Sequence, residues 1–129
     1  MNKYIPDGWH SITPRIVAND VPQFCGFLEQ VFDATVEIRR EPCQIRIGDS
    51  LVMLSSAGVR EVMPAFLYLY VEDTDATYGR ALSAGAESIE EPADMAYGDR
   101  RAMIRDPGGN IWQIATHDEA AFQMFLQQS

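Results

Sequence analysis

Along this chain the apolar residues first alternate, then fall at helical spacing, then alternate again, and the whole order occurs twice. Residues 12–18 alternate as a half-buried strand does. Asp20 follows as an N-cap, with Pro22 at a tolerated first-turn position. Phe24, Phe27, Leu28, Val31 and Phe32 then make one apolar stripe at helical spacing. Three short strands are predicted after it, over 35–39, 44–47 and 50–54, with Gly48-Asp49 as the last turn between them. The second half opens on an aromatic-rich strand at 65–71. Asp73 caps a helix whose inward stripe is Thr74, Tyr78, Ala81 and Leu82, thinner than the first and interrupted by Gly79. Gly85 suits a left-handed C-cap, and strands follow at 87–90, 100–104 and 110–116. The repeat length is about half a domain, which excludes a solenoid. The prediction is one domain: module one over about 10–55, a linker at 56–64, module two over 65–117 and a tail at 118–129.

Strand alternation also divides the side chains between two faces. One set is wholly apolar: Pro14, Ile16 and Ala18; Val52 and Leu54; Leu67, Leu69 and Val71; Trp112 and Ile114. This face is expected beneath the helices, with Trp112 and Leu69 in the core. The opposite set is Thr13, Arg15 and Val17; Leu51 and Met53; Phe66, Tyr68 and Tyr70; Ile111 and Gln113. It mixes apolar and aromatic groups with a hydroxyl, a guanidinium, a thioether and an amide, the make-up of a ligand pocket. A subunit contact enriched in Tyr, Met and Arg, or plain surface, is the competing reading. Three rings on one face of one strand are a large apolar area to leave in water.

Hydrophobic residues make up 47% of the chain and charged ones 22%, as in ordinary globular proteins. No apolar run approaches the roughly 20 residues that span a bilayer, and residues 1–8 hold no apolar stretch of the kind a secretion signal needs. Cys25 and Cys43 form no metal pattern and read as reduced thiols, so a cytoplasmic location is expected. Nineteen acidic residues against ten basic leave a net charge of −9, which argues against nucleic acid and membrane partners. The same charge would draw in a cation, or it serves solubility alone. His10 and His117 are expected at strand ends or on the surface, Glu90, Glu91 and Asp94 in an acidic loop, and Arg100 and Arg101 paired with local acids.

The paired β-α-β-β-β units, the opening ITPRIVAND, LYLYVEDTDATYGRALSAGAE and YGDRRAMIRDPGGNIWQIATH together resemble the vicinal oxygen chelate superfamily. That superfamily includes glyoxalase I, extradiol dioxygenases and bleomycin-resistance proteins. The Gly-Asp-Arg at 98–100 and the Asp-Pro-Gly-Gly-Asn-Ile-Trp at 106–112 are most similar to its glyoxalase-like, bleomycin-resistance-like branch. The match covers roughly residues 10–117. It implies an α+β fold in which the two modules form a U-shaped mixed sheet with helices on the outer face, and a homodimer. In metal-using members four inward positions carry His, Glu or Gln. Carried onto this chain they fall at or next to Thr13, Met53, Phe66 and Gln113, of which only Gln113 is a plausible hard-ion ligand. No metal site and no cofactor are therefore expected.

Three functional hypotheses follow. The first is a metal-independent binding protein that holds a flat or aromatic small molecule on Thr13, Arg15, Met53, Phe66, Tyr68, Tyr70 and Gln113, in the manner of drug-sequestering members. The acidity of the chain favours a cationic ligand. Arg15, an inward cation with no identified inward acid, opposes one. The second is a glyoxalase-like lyase or isomerase that uses a shifted metal or side chains alone. The third is an interaction module whose polar-aromatic face is a subunit contact. No catalytic residue can be assigned from the sequence.

Overall fold

The computed structural model describes residues 4–128, which fall into two compact units divided between Pro64 and Ala65. In the first unit the strands are β1 (Arg15–Ala18), β2 (Thr35–Ile38), β3 (Cys43–Ile47) and β4 (Ser50–Ser56), with helix α1 (Val21–Phe32) after β1. They form a four-stranded sheet in the order β1-β4-β3-β2, with β1 parallel to β4 and the other pairs antiparallel. The second unit repeats the plan with β5 (Phe66–Tyr70), α2 (Thr74–Ser83), β6 (Glu87–Asp94), β7 (Asp99–Arg105) and β8 (Ile111–His117). Its sheet runs β5-β8-β7-β6, with β5 parallel to β8. Two β-α-β-β-β modules, each a mixed sheet with its helix, make an α+β protein.

Local chemistry starts and stops the helices where the sequence indicates. The Asp20 side chain accepts from Gln23 N at 3.0 Å and that of Asp73 from Ala76 N at 3.1 Å, so each carboxylate satisfies an otherwise orphaned amide. Asp33 ends α1 in the left-handed conformation that aspartate tolerates, at φ 55°. The α1 stripe Phe24, Phe27, Leu28, Val31 and Phe32 is buried throughout, against β2, β3 and β4. In α2 the buried residues are Thr74, Thr77 and Ala81. Leu82, expected to point inward, is exposed, and Tyr78 instead donates its hydroxyl to Ser88 Oγ at 2.6 Å.

Ile16, Val52, Leu54, Trp112 and Ile114 of the predicted covered face are buried, each contributing about 1.5–3 kcal/mol by removal of apolar surface from water. Leu69 corrects the expectation: it is only half-buried, as are Leu67 and Val71. The reason is position in the sheet. β5 is an edge strand, and α2 packs over β6, β7 and β8. Most strand limits shift by one to three residues. β1 starts at Arg15, leaving Ile12 exposed and Thr13 ahead of the strand, while β6 runs on to Asp94 through two register shifts. The tail carries a helix the periodicity reading did not assign, α3 (Glu119–Gln127), capped by Asp118, whose carboxylate accepts from Ala121 N at 3.1 Å.

The segment 106–112 is a structural knot. Asp106 is buried in the turn before β8. Its Oδ1 accepts from Gly108 N at 2.8 Å and Asn110 N at 3.0 Å, and its Oδ2 accepts from Trp112 Nε1 at 2.7 Å. Asn110 accepts from Ala65 N at 2.9 Å, which ties the start of β5 to the same turn. The aspartate and asparagine of this motif therefore hold the turn, the core tryptophan and the β5–β8 register together.

Candidate functional site

In the first unit the face opposite α1 is set by register. Met53 pairs with Arg15 across β1 and β4 and with Gln44 across β3 and β4, so these three share a face with the Leu51–Arg46 pair. Arg15 donates from Nε to Ser55 Oγ at 2.9 Å. Residues 4–11, which carry no periodicity, lie over this face as an arm. Trp9 N donates to Pro6 O at 3.1 Å to turn the arm. Gly8, at φ 83°, faces the sheet, where an added Cβ would stand in ordinary contact, 3.4 Å from Arg46 Nη2 and 3.8 Å from Leu51 Cδ1. The arm explains why Leu51, predicted on the open face, is buried. Between arm and sheet is a cavity of about 500 Å³ that takes in Thr13 and Met53 with Trp9, His10 and Gln44.

In the second unit Phe66, Tyr68 and Tyr70 lie on one face of β5 and are 66%, 38% and 59% exposed. Their ladder partners on β8 are Ile111, Gln113 and Ala115, and those in turn face Arg105, Met103 and Arg101 of β7, with Asp99 opposite His117 at the end. Gln113 is thus brought beside Tyr68, as the parity argument expects.

The centre of this face is a residue that the sequence reading did not select. Asp99, 3% exposed, accepts from the Tyr68 hydroxyl at 2.6 Å, from the Tyr70 hydroxyl at 3.0 Å, both at Oδ2, and from His117 Nδ1 at 3.0 Å at Oδ1. Because Tyr68 donates to Asp99, Tyr97 donates to the Tyr68 oxygen at 3.1 Å, and Arg101 Nη1 donates to Tyr97 at 3.1 Å. Every donor in this chain runs towards one carboxylate. Burial alone pushes the Asp99 carboxyl up, but the hydrogen bonds from Tyr68, His117 and Tyr70 outweigh it and hold it below the ordinary carboxylate range. Tyr68 and Tyr70 are raised, first by burial and then by donation to Asp99, so both remain neutral phenols whose protons are committed inward. The signal for Asp99 and His117 was parity: on strands one residue longer, they continue the series of Arg101 and Gln113.

His117 also reaches Glu119 with Nε2 at 2.7 Å. Ionised carboxylates accept only, so the two contacts together favour the imidazolium, the form in which both ring nitrogens donate. The hydrogen bonds to Asp99 and Glu119 raise its pKa accordingly. Beside it opens a cavity of about 620 Å³ bordered by Glu72, Asp73, Asp75, Asp94, Asp99, Asp118 and Glu119. All of these acids but Glu72 are engaged. Asp73 and Asp118 cap helices, Asp75 and Asp94 bind Arg100 at 2.9 and 3.0 Å, and Asp99 and Glu119 hold His117. Glu90 and Asp94, expected in an acidic loop, stand instead on β6 and pair with Arg101 and Arg100.

A family model described as the Glyoxalase/Bleomycin resistance protein/Dioxygenase superfamily matches residues 10–114. The chain belongs to this superfamily. It is 31% identical over 124 residues to the uncharacterized protein Mb0911c of Mycobacterium bovis, covering 81% of each chain. Among solved structures it is similar to TioX from Micromonospora sp. ML1, with TM-score 0.71, 19% identity, and 83% of this chain against 95% of that one. It is also similar to the fosfomycin resistance protein FosX from Mesorhizobium loti, with TM-score 0.67, 18% identity, and 86% against 94%. These structural likenesses show the glyoxalase fold. The superfamily's metal chemistry needs hard donors at four positions, which the resemblance puts at or next to Thr13, Met53, Phe66 and Gln113. They do not fit a hard divalent ion. Among the described residues no group of three or more His, Cys, Asp or Glu is placed to hold a metal, and no helix is long and apolar enough to cross a membrane.

Proposed function

We propose that the protein is a cytoplasmic, metal-independent small-molecule-binding member of the glyoxalase/bleomycin-resistance type, a homodimer that sequesters a flat, drug-like compound. The observation that carries this reading is the trio of exposed rings on β5, two of which, Tyr68 and Tyr70, turn their phenol protons inward to Asp99. The rings offer apolar and π surface, while the phenol oxygens and the Gln113 amide offer acceptors to a ligand. The unsuitable donor set at the four chelating positions supports independence from metal. Dimer formation is supported by the open edges of two four-stranded sheets and is checked by light scattering, where a monomer mass at micromolar concentration refutes it.

The test is calorimetric titration of planar aromatic cations, acridine orange first, against wild type, Phe66→Ala and Tyr68→Ala, with and without chelator. Each substitution should weaken binding about tenfold, the size of one aromatic contact. Chelator should leave affinity unchanged. Binding abolished by chelator refutes metal independence, and binding indifferent to both substitutions refutes the location.

One observation favours a second reading, an enzyme that works with side chains alone: an Asp99–His117 dyad borders the 620 Å³ cavity. On that reading a substrate converted by wild type is bound but not converted by His117→Gln.

A further inference from the structure

The cavity beneath the N-terminal arm differs chemically from the β5 face. The wall carries the rings of Tyr4 and Trp9, and the sheet side offers the Met53 thioether, the Gln44 amide and the Thr13 hydroxyl. Among the described residues that line it there is no Asp, Glu, Lys or Arg, and His10 is the one basic side chain, although 22% of the chain is charged. The β5 face, by contrast, holds Asp99, Arg101 and His117 within its hydrogen-bond chain.

From this we infer that the arm and the first sheet form a binding cavity for a neutral, planar aromatic heterocycle, with Trp9 as the residue that selects it. This deepens the proposed function and rests on it. A cationic ligand entering the cavity would lose water and meet no carboxylate among the described lining residues. A neutral ring loses little on desolvation, stacks on the indole and meets a polarisable sulfur. Gln44 offers both donor and acceptor, and Thr13 a hydroxyl that does either, which suits ring nitrogens and carbonyls. The cavity's 500 Å³ lies within the range of small-molecule sites. The arm has a defined seat, because its turn at Pro6–Trp9 is hydrogen-bonded and Gly8 takes a positive φ beside Arg46 and Leu51 of the sheet. The overall net charge of −9 would by itself suggest a cation, and the inference runs against that.

The experiment compares two planar tricyclic probes of similar size, neutral lumiflavin and cationic acridine orange, on wild type, Trp9→Ala, Trp9→Phe and Tyr68→Ala. Binding is read from the emission of each probe, and in wild type also from tryptophan quenching, since the other tryptophan, Trp112, is buried in the core. Trp9 lies outside every strand and helix, so the variants should keep the wild-type circular dichroism. Lumiflavin should bind saturably and lose about tenfold or more in affinity in Trp9→Ala. It should stay within about threefold in Trp9→Phe and be unmoved by Tyr68→Ala, while acridine orange ignores Trp9. Lumiflavin affinity equal in wild type and Trp9→Ala overturns the inference. So does acridine orange binding that depends on Trp9. If acridine orange binds through Tyr68 and lumiflavin does not bind, the inference fails and the proposed function stands. If wild type binds neither, both fail.

Discussion

Replacing Asp106 by Asn probes how the turn before β8 is held. The substitution conserves size and changes one oxygen to an NH2 group. In the structure Oδ2 accepts from Trp112 Nε1 at 2.7 Å and Asn110 Nδ2 at 3.0 Å, and Oδ1 accepts from Gly108 N at 2.8 Å and Asn110 N at 3.0 Å. Placing NH2 at the Oδ2 position sets it against two donors. The flipped amide sets it against two backbone amides and leaves the tryptophan satisfied. In the first case Trp112 Nε1 loses its acceptor while Asn110 Nδ2 keeps Oδ1 at 3.2 Å. In the second the buried Asn110 N and the exposed Gly108 N lose theirs. Either way at least one buried donor loses its acceptor, so the expected loss is about 1–3 kcal/mol. That is a substantial part of the roughly 5–15 kcal/mol of a typical domain. The assay is denaturant unfolding followed by tryptophan emission. Trp112→Phe supplies a control, because it keeps a ring in the core and removes one donor. Asp106→Asn should cost less in that background, with a coupling of about 0.5–3 kcal/mol. A loss below roughly 0.5 kcal/mol, the size of an ordinary surface change, would refute the reasoning.

Two further outcomes are expected. Gly98 has φ 104°, and an added Cβ would lie 2.7 Å from Phe122 N and 2.8 Å from its Cα. Gly98→Ala should therefore displace α3 at a cost of at least about 1–3 kcal/mol, seen as lost hydrogen-exchange protection at residues 122–126 with the second sheet intact. Unchanged protection there refutes the close approach. His117, with its pKa raised above 6.5 by Asp99 and Glu119, stabilises the fold fully below that ordinary value, and the contribution fades as pH rises through the raised one. Denaturation midpoints between about pH 6 and 9 should fall with rising pH in wild type and fall less in His117→Gln. Equal slopes, or an imidazole titrating below the ordinary value by NMR, would refute the bridged imidazolium.

The candidate site was only partly legible before the fold was known. Alternation placed Phe66, Tyr68, Tyr70 and Gln113 on one face, and the register confirms that they share it. Thr13, Arg15 and Met53 likewise come together in the first unit, although Thr13 stands just ahead of β1. Asp99 and His117 were passed over because one strand was started a residue too late and the other stopped a residue too early. Their importance lies in partners 29 and 31 residues away for Asp99, and 18 for His117. The arm at residues 4–11 gave no signal, since a segment with neither helical nor strand period announces nothing about the surface it will cover.

What the sequence by itself determined is everything that follows from the geometry of a single stretch of backbone. Aspartates cap the helices, periods of two and 3.6 separate apolar from polar faces, and the Asp106–Asn110 motif makes a turn. Those properties depend on residues within one or two turns of each other. What only the tertiary structure decided is which stretches stand side by side. It left β5 at a sheet edge, so that Leu69 is half-buried where the pattern alone put it in the core. It buried Leu51 beneath an unpatterned arm, and it turned two tyrosines, a histidine and a distant aspartate into one hydrogen-bonded group. These outcomes depend on ladder register and on the closing of long loops, and no local pattern encodes either.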